Sequence, residues 1–366
     1  MLKLRRGVVV ETEPLTVRLD SEIRRAWADR SLVGEVAEGD EVIVNTEAVD
    51  LGLGSGGFDV VHANLTRGLG GGEASGAARV MKLNYTSLQH AVEPVESKSR
   101  GDSDPGQGQA SMAASSRPPV LVLPLHGHLA PAAWALGQAR PGLRVGYVQT
   151  AGGALPGSLS RDVFELRRRG LLAGQVTASP AYGGEGEAIT TLGALDAGSS
   201  RLGWEAMLCG PGPGILGSAT DYGHGGIAAL ESAHAALALG APTLLSPRLS
   251  SSDPRPRHRG LSHHTATVLE LLLGSVRVPV PEIELRGWPT GREGPDQVDL
   301  PSVLDALHEV CDDRHDVIVE PVDLDGYAAS GLPVRTMGRT IADDPLFFAA
   351  PLAAARAVAD AVATGR

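Results

Sequence analysis

Short apolar runs alternate with helical segments from residue 120 onward, and this order constrains the fold more than any single motif does. The runs VLVLPL, LRVGYVQ, GQVTAS, WEAMLC and PTLLSP each precede a segment with helical character. Strands that alternate with helices form parallel sheets whose faces are covered. The pattern predicts a Rossmann-like α/β domain over residues 120–366, with a mainly parallel sheet and helices on both faces.

The first 90 residues have a strand-like pattern instead. Valine and isoleucine alternate with polar residues in VVVET and EVIVN, and turn residues separate several such runs. Period two places the apolar side chains on one face of a strand, and several short antiparallel strands favour a barrel or a curled sheet. Residues 1–90 are predicted to form a small β-barrel-like domain. Residues 91–119, rich in Ser, Gly and Pro, are predicted to form a flexible linker.

The charge balance argues against two classes of partner. With 43 acidic and 32 basic residues the net charge is −11, whereas general binding to nucleic acid or to an anionic membrane needs a basic surface. The longest uncharged stretch, Pro118 to Ala139, is interrupted by Pro124 and Pro131, so no membrane span is expected. The expected partner is a small anionic molecule. The sequence permits a homo-oligomer without indicating one.

The cysteine content bears on the compartment. Only Cys209 and Cys311 occur, which leaves no disulfide framework and no four-cysteine zinc site. The chain therefore suits a reducing compartment, and the expected location is the cytoplasm. Lysine occurs only at positions 3, 82 and 98, which together with abundant Ala and Gly suggests a GC-rich bacterial genome.

Polar and glycine-rich loops follow five of the predicted strands. Open α/β sheets bind ligands beyond the carboxyl ends of their strands, so these loops are expected to form one crevice. The loop GPGPGILG carries Gly212, Gly214 and Gly217 at the spacing of a dinucleotide fingerprint, but it lacks a suitably placed helix and acid, which disfavours a nicotinamide cofactor. Gly212 and Gly214 are candidates for a backbone nest around phosphate or carboxylate. No cofactor is indicated.

The segment DPRPRHRGLSHHT, Asp253 to Thr265, is a basic island in an acidic chain. Guanidinium groups bind carboxylate or phosphate bidentately, and the following helix, with Ser262 as N-cap and Gly274 as C-cap, favours negative charge at its start. The competing interpretation is a solvated basic turn whose arginines brace neighbouring loops. The predicted ligand-binding residues in this segment are Asp253, Arg255, Arg257, Arg259 and His264, and the predicted acid–base residues are His258 and His263.

A pair of histidines follows the first strand after the linker. His126 and His128 in HGH are expected to lie on the same side because side chains alternate along a strand. With Asp221, His224 or Asp253 they could complete the site of a metal hydrolase. The spacing is not diagnostic, so no metal ligand is assigned, and His126 is retained as a catalytic candidate.

Four phrases carry a resemblance to a known family. VDLGLGSGGFDVVHANL, MKLNYTSLQ, DPRPRHRGLSHHT and RTMGRTIADDPLFF resemble the uncharacterised bacterial domain-of-unknown-function 3866 family, and the match spans nearly the whole chain. The resemblance implies no activity and assigns no catalytic residue. It implies that one histidine followed by a polar residue is usual where this chain has HGH, which favours His126 over His128.

Three functional hypotheses follow. The leading one is an enzyme acting on a small phosphate- or carboxylate-bearing metabolite, with the three arginines binding the anion and His126, His258 or His263 acting as acid or base. The first alternative is a non-catalytic metabolite sensor or interaction scaffold. The second is a metal-dependent hydrolase.

Overall fold

The computed structural model describes residues 2–54, 56–70, 78–97, 117–283 and 298–365. The chain divides into two compact units, Met1–Glu93 and Pro94–Arg366. Of the predicted linker, residues 98–116 lie outside the described residues. Pro94 and Val95 belong to the second unit, where they pair with Glu187.

The first unit is built on a closed five-stranded barrel, as the alternating valines predicted. Its strands are β1 (Leu4–Thr12), β2 (Leu15–Leu19), β3 (Glu22–Trp27), β4 (Glu41–Asn45) and β5 (Asp59–Asn64), in the order β1-β2-β3-β5-β4. Short helices α1 (Arg30–Val33) and α2 (Glu47–Asp50) lie between strands, and β6 (Val80–Lys82) pairs with β7 (His90–Val92). Val42 and Val44 are fully buried in the barrel core, while Glu41, Ile43 and Asn45, which alternate with them along β4, are partly exposed.

The second unit contains an eight-stranded, wholly parallel sheet, which confirms the Rossmann-like α/β prediction. Its strands, in the order β11-β10-β9-β12-β8-β13-β16-β17, are β8 (Val120–Val122), β9 (Val145–Thr150), β10 (Gly174–Ala178), β11 (Gly186–Ala188), β12 (Ala206–Pro211), β13 (Thr243–Leu245), β16 (Arg277–Glu282) and β17 (Asp316–Pro321). Two-stranded pairs lie outside it: β14 (Leu249–Ser250) with β15 (Gly260–Leu261), and β18 (Arg335–Thr336) with β19 (Arg339–Thr340).

Helices cover both faces of this sheet, and the central strand shows why. Val120 and Val122 of β8 point into one apolar core, whereas Leu121 and Leu123 point into another, because side chains alternate along a strand. The helices of the first core are α5 (Thr191–Ser200), α6 (Ala228–Ala238), α7 (His263–Leu271) and α8 (Leu300–Cys311). Those of the second are α3 (Leu129–Ala139), α4 (Arg161–Arg168), α9 (Leu324–Ala329) and α10 (Pro345–Thr364).

One described helix, α10, is long and apolar enough to cross a membrane by length and composition. In its most apolar window 78% of the residues are buried inside the structure, and α10 packs against α3 and β16. Within the described part of the chain, α10 is thus a core helix of the α/β unit.

The helix after the basic loop begins as predicted and ends earlier. Ser262 caps α7, its hydroxyl accepting from the backbone N–H of His264. The helix ends at Leu271 with the extended residue Leu272 as C-cap, so the prediction of Gly274 as C-cap was wrong. Leu272, the extended residue at this end, is buried in the first core of the α/β unit.

Candidate functional site

Five loops meet at the carboxyl edge of the sheet. Strands β10, β9, β12, β8 and β13 are neighbours and all parallel, so the loops that follow them leave from the same edge. Contacts join them: the N–H of Gly157 donates to Tyr182, and the N–H of Ala154 donates to Pro213. The loops after β8 and β13 meet where His128 contacts Ser246. The expected single edge is therefore present in the structure.

The loop after β8 forms a 3₁₀ turn at His126–His128, so the expected strand alternation does not apply to the two imidazoles. His126 lies 2.7 Å (Nε2) from the hydroxyl of Ser160 and 3.3 Å (Nδ1) from the carbonyl of Pro211. His128 lies 2.9 Å (Nδ1) from the hydroxyl of Ser246. Both side chains are buried, and they contact different loops. The structure does not bring them together around a common partner.

Asp253 holds the basic loop together. Its buried carboxylate accepts two hydrogen bonds of 2.9 Å from Arg255 and one of 3.3 Å from Arg339. Arg339 also donates to Asp344 over 3.0 Å, which fixes a second carboxylate beside the first. Burial alone would raise the pKa of Asp253, but hydrogen bonds from Arg255 and the positive charges of Arg255 and Arg339 hold this pKa well below its usual range. Asp253 therefore braces the loop, and Arg255 is engaged within the protein.

Arg248 is the cation that lies deepest in the site. Its side chain is 6% exposed, yet the closest carboxylate oxygen, of Asp253, is 3.7 Å away and beyond hydrogen-bond distance. One guanidinium nitrogen lies 3.2 Å from Nδ1 of His264 and donates to it. Burial and the neighbouring charge of Arg255 lower the pKa of Arg248 to about 10, so it remains charged at neutral pH. A buried cation with this little compensation is suited to receive an anion.

Four imidazoles cluster beside Arg248. The rings of His224 and His264 are stacked with centroids 3.6 Å apart, and His263 lies 4.4 Å from His264. His258 lies 4.7 Å from His264 and 5.0 Å from His263. His224 comes from the loop after β12, whereas the other three come from the loop after β13 and the first turn of α7.

The surroundings of these histidines favour the neutral form of each imidazole. Burial and the charge of Arg248 lower the pKa of His258 to about 3, and burial and the neighbouring His224 lower that of His264 to about 2. The pKa values of His224 and His263 are also lowered, chiefly by burial. Neutral imidazoles can accept a proton, donate one hydrogen bond, or bind a metal ion.

Several ring nitrogens of the cluster lack a hydrogen-bond partner. Both ring nitrogens of His224 and Nε2 of His263 are buried, and none of them lies within hydrogen-bond distance of a partner. Outside the cluster, Nε2 of His128 in the loop after β8 is also buried without such a partner. Among the described residues, His224, His263 and His264 form a group with metal-ligand spacing, since one ligand nitrogen of each lies within 4.8 Å of the others. These three residues could hold a metal ion.

The remaining predicted residues occupy different positions. Arg257 is exposed and its Nε lies 3.4 Å from Nε2 of His258, while Nε of Arg259 lies 3.4 Å from the carbonyl of Asp253. Gly212 permits close packing of two loops, because a Cβ there would collide with the backbone of Ala154. Gly214 has a positive φ of 76° and open space around it, which is the requirement of a turn. None of these contacts tests whether Arg257, Arg259, Gly212 or Gly214 binds a ligand, so their assignment as ligand-binding residues stays a prediction.

Sequence reasoning missed Arg248 and the two residues that fix its surroundings, Arg339 and Asp344. Arg248 lies three residues after Leu245, the last residue of β13, in PTLLSPRL, and nothing in these residues alone indicates that its side chain is buried. Arg339 and Asp344 belong to RTMGRTIADDP, a phrase with a charged pattern but no recognised motif.

A match to a known family covers parts of both units of the chain. The model of a family described as protein of unknown function (DUF3866) matches residues 25–355. The chain belongs to the DUF3866 family. No curated protein and no solved structure shows a significant match. The function of this DUF3866 protein therefore has to be argued from its own residues.

Proposed function

We propose that this DUF3866 protein is an enzyme that acts on a small metabolite bearing a phosphate or carboxylate group. The observation that carries the proposal is the buried guanidinium of Arg248, which has no carboxylate within hydrogen-bond distance and faces neutral imidazoles at the carboxyl edge of a parallel sheet. Such an edge is where open α/β sheets bind ligands.

In this proposal Arg248 is the inner anchor for the anion. The N-terminus of α7, a nine-residue helix, adds backbone N–H groups and a positive dipole end. Arg257 supplies further positive charge at the exposed side of the loop, Arg259 is retained as a predicted contact of the anion, and the charge of Arg255 is neutralised by Asp253. The network of Arg248, Arg255 and Arg339 with Asp253 and Asp344 retains one net positive charge, three cations against two carboxylates. An anion would complete it.

The candidate acid–base groups remain His258, His263 and His126. His258 is the best positioned by its contacts, because its Nδ1 lies 2.7 Å from the hydroxyl of Ser262 and its Nε2 is the nitrogen near Arg257. Since arginine can only donate, Nε2 carries the lone pair and Nδ1 the proton. Arg257 occupies this lone pair, so His258 would accept a proton from a bound substrate only after the anion has drawn Arg257 away.

The test removes the guanidinium of Arg248 and keeps an unbranched apolar side chain in its place. Arg248→Met removes the charge, and the matched control is Arg277→Met, an arginine at the opposite, amino edge of the same sheet. Inorganic phosphate, sulfate and a panel of phosphorylated and carboxylated metabolites are tested by thermal shift and for turnover. We expect anions to raise the melting temperature of the wild type and of R277M but not of R248M, and turnover to follow the same pattern.

The proposal fails if R248M retains the full anion-induced shift, or if no anion stabilises the wild type. Stabilisation without turnover of any metabolite in the panel would instead support a non-catalytic sensor. A cytoplasmic location is part of the proposal and is supported by the two cysteines, which are both free and buried.

A further inference from the structure

We propose that His224, His263 and His264 bind a divalent transition-metal ion of the zinc class, and that an anion held by Arg248 promotes this binding. The metal site stands on the geometry of the three histidines alone. The coupling to an anion rests on the proposed function.

The spacing of the three ligand nitrogens is close to that of a metal site. They lie within 4.8 Å of one another, and two nitrogens bound tetrahedrally at about 2.0–2.1 Å from zinc are roughly 3.4 Å apart. The three nitrogens therefore have to approach one another by up to about 1.4 Å to bind one ion. Three protein ligands also leave one coordination position for water or substrate, the arrangement of catalytic rather than structural zinc sites.

The unpartnered nitrogens point to a missing ligand. His224 is 7% exposed and neither of its ring nitrogens has a hydrogen-bond partner, and Nε2 of His263 also has none. Buried polar atoms are almost always paired, because an unpaired one has lost its hydrogen bonds to water without replacing them. A cation bound by one nitrogen of His224 and by Nε2 of His263 would pair two of these three atoms.

The stacked rings of His224 and His264 identify the side chain that has to move. The two ring planes differ by only 5°. Because the lone pair of an imidazole nitrogen lies in the plane of its ring, lone pairs from two stacked rings cannot point at the same ion. His264 is held by the guanidinium of Arg248, whereas no side chain donates to or accepts from the ring of His224, and only the backbone of Asp221 interacts with that ring. Gly226 lies against both rings, and a Cβ at that position would come within 3.0 Å of Nδ1 of His224. The glycine thus leaves room for the rotation.

Arg248 competes with the metal ion for His264. While the guanidinium donates to Nδ1, the ring proton must reside on Nε2, so neither nitrogen of His264 offers a free lone pair. The positive charge of Arg248 opposes a cation as well. An anion that draws the guanidinium away removes both obstacles. Metal and anion should therefore bind with positive coupling, and His258 is then the imidazole left to act as a base.

The first experiment measures metal binding directly. Chelator-treated protein is titrated with Co²⁺, whose visible absorption reports histidine coordination, and with Zn²⁺ in competition, in the presence and absence of sulfate. We expect one equivalent of metal ion to bind to the wild type. The affinity for Co²⁺ should be lower by about 100-fold or more in His224→Ala and in His263→Ala. His308→Ala, which removes an exposed histidine of the same unit, should bind as the wild type does. His224→Gln and far-UV circular dichroism guard against loss of folding.

The second experiment tests the coupling. Sulfate should tighten Co²⁺ binding to the wild type about 5-fold or more, and Arg248→Met should bind Co²⁺ more tightly than the wild type without sulfate and show no sulfate effect. The metal site is ruled out if the wild-type protein binds neither Co²⁺ nor Zn²⁺, with or without sulfate. It is also ruled out if H224A binds Co²⁺ as tightly as the wild type does. Metal binding that ignores sulfate overturns the coupling, and if sulfate also fails to raise the melting temperature, the proposed function fails separately.

Discussion

At the scale of single residues, the site depends on Asp253 as much as on any residue that could touch a ligand. Asp253 is fully buried and is surrounded by Arg248, Arg255 and Arg339. Removing one partner of a buried ionic network leaves the others uncompensated. Asp253→Asn should therefore lower the free energy of unfolding by about 3–5 kcal/mol, measured by urea denaturation. Asp316→Asn, which removes an exposed carboxylate that pairs with Arg277, should have little effect.

The effect of Asp253→Asn should depend on pH. The pKa of this carboxyl is lower in the folded protein than its unfolded value of about 3.9, so its contribution to stability is complete above that value and is lost as the pH falls through the lower, folded pKa. The stability difference between wild type and variant should narrow below about pH 4. A difference that is constant from pH 7 to pH 3 would contradict the assignment of the charge network.

The residues of the site were only partly predictable from the sequence. His258, His263 and His264 were identifiable because they are clustered in one short, basic segment. Arg248 was not, because a single arginine after an apolar run has no local signal of burial. Arg255 pairs with the buried carboxylate of Asp253 two residues away, and its assignment as a ligand-binding residue stays a prediction.

At the scale of elements, the start of α7 links the fold to the site. The hydroxyl of Ser262 caps the helix and also contacts Nδ1 of His258 at 2.7 Å. Local rules predicted this cap, since a serine before a periodic segment satisfies a free backbone N–H. They did not predict the end of the helix, because burial of Leu272 is a tertiary effect.

Replacing the two caps of neighbouring helices separates stability from function. Ser262→Ala and Asp299→Ala, the latter removing the cap of α8, should each cost about 1 kcal/mol in urea denaturation. Only Ser262→Ala should weaken the binding of phosphate, measured by calorimetry, because it also releases His258. Equal phosphate affinity in both variants would show that Ser262 and His258 do not contribute to phosphate binding.

At the scale of the whole molecule, the strand order assembles the site from segments far apart in the chain. The sequence pattern predicted strands, helices and a common edge, but it contains no information on which strands are neighbours. His224 therefore could not be connected with His263 and His264 before the fold was known. That contact depends on packing between loops, above all on Gly225 of the loop after β12, which lies against the backbone of Gly152 in the loop after β9.

Gly225→Ala should disturb the metal site without removing a ligand. A Cβ at this position would overlap the carbonyl of Gly152, so the loop that carries His224 must shift. Gly217→Ala in the same loop meets its nearest neighbour at 3.7 Å and should be tolerated. We expect Co²⁺ affinity to fall in G225A and to be unchanged in G217A. Undiminished affinity in G225A would show that loop packing does not position His224.

The most direct test of the central claim is to locate a bound anion. Crystals of the wild-type protein soaked with tungstate, a heavy analogue of phosphate and sulfate, would reveal the anion by its anomalous scattering. The account predicts a peak within hydrogen-bond distance of the Arg248 guanidinium, near the first turn of α7, and no such peak in R248M. A well-occupied peak elsewhere in the wild type, with Arg248 still donating to His264 and no anion beside it, would contradict the claim.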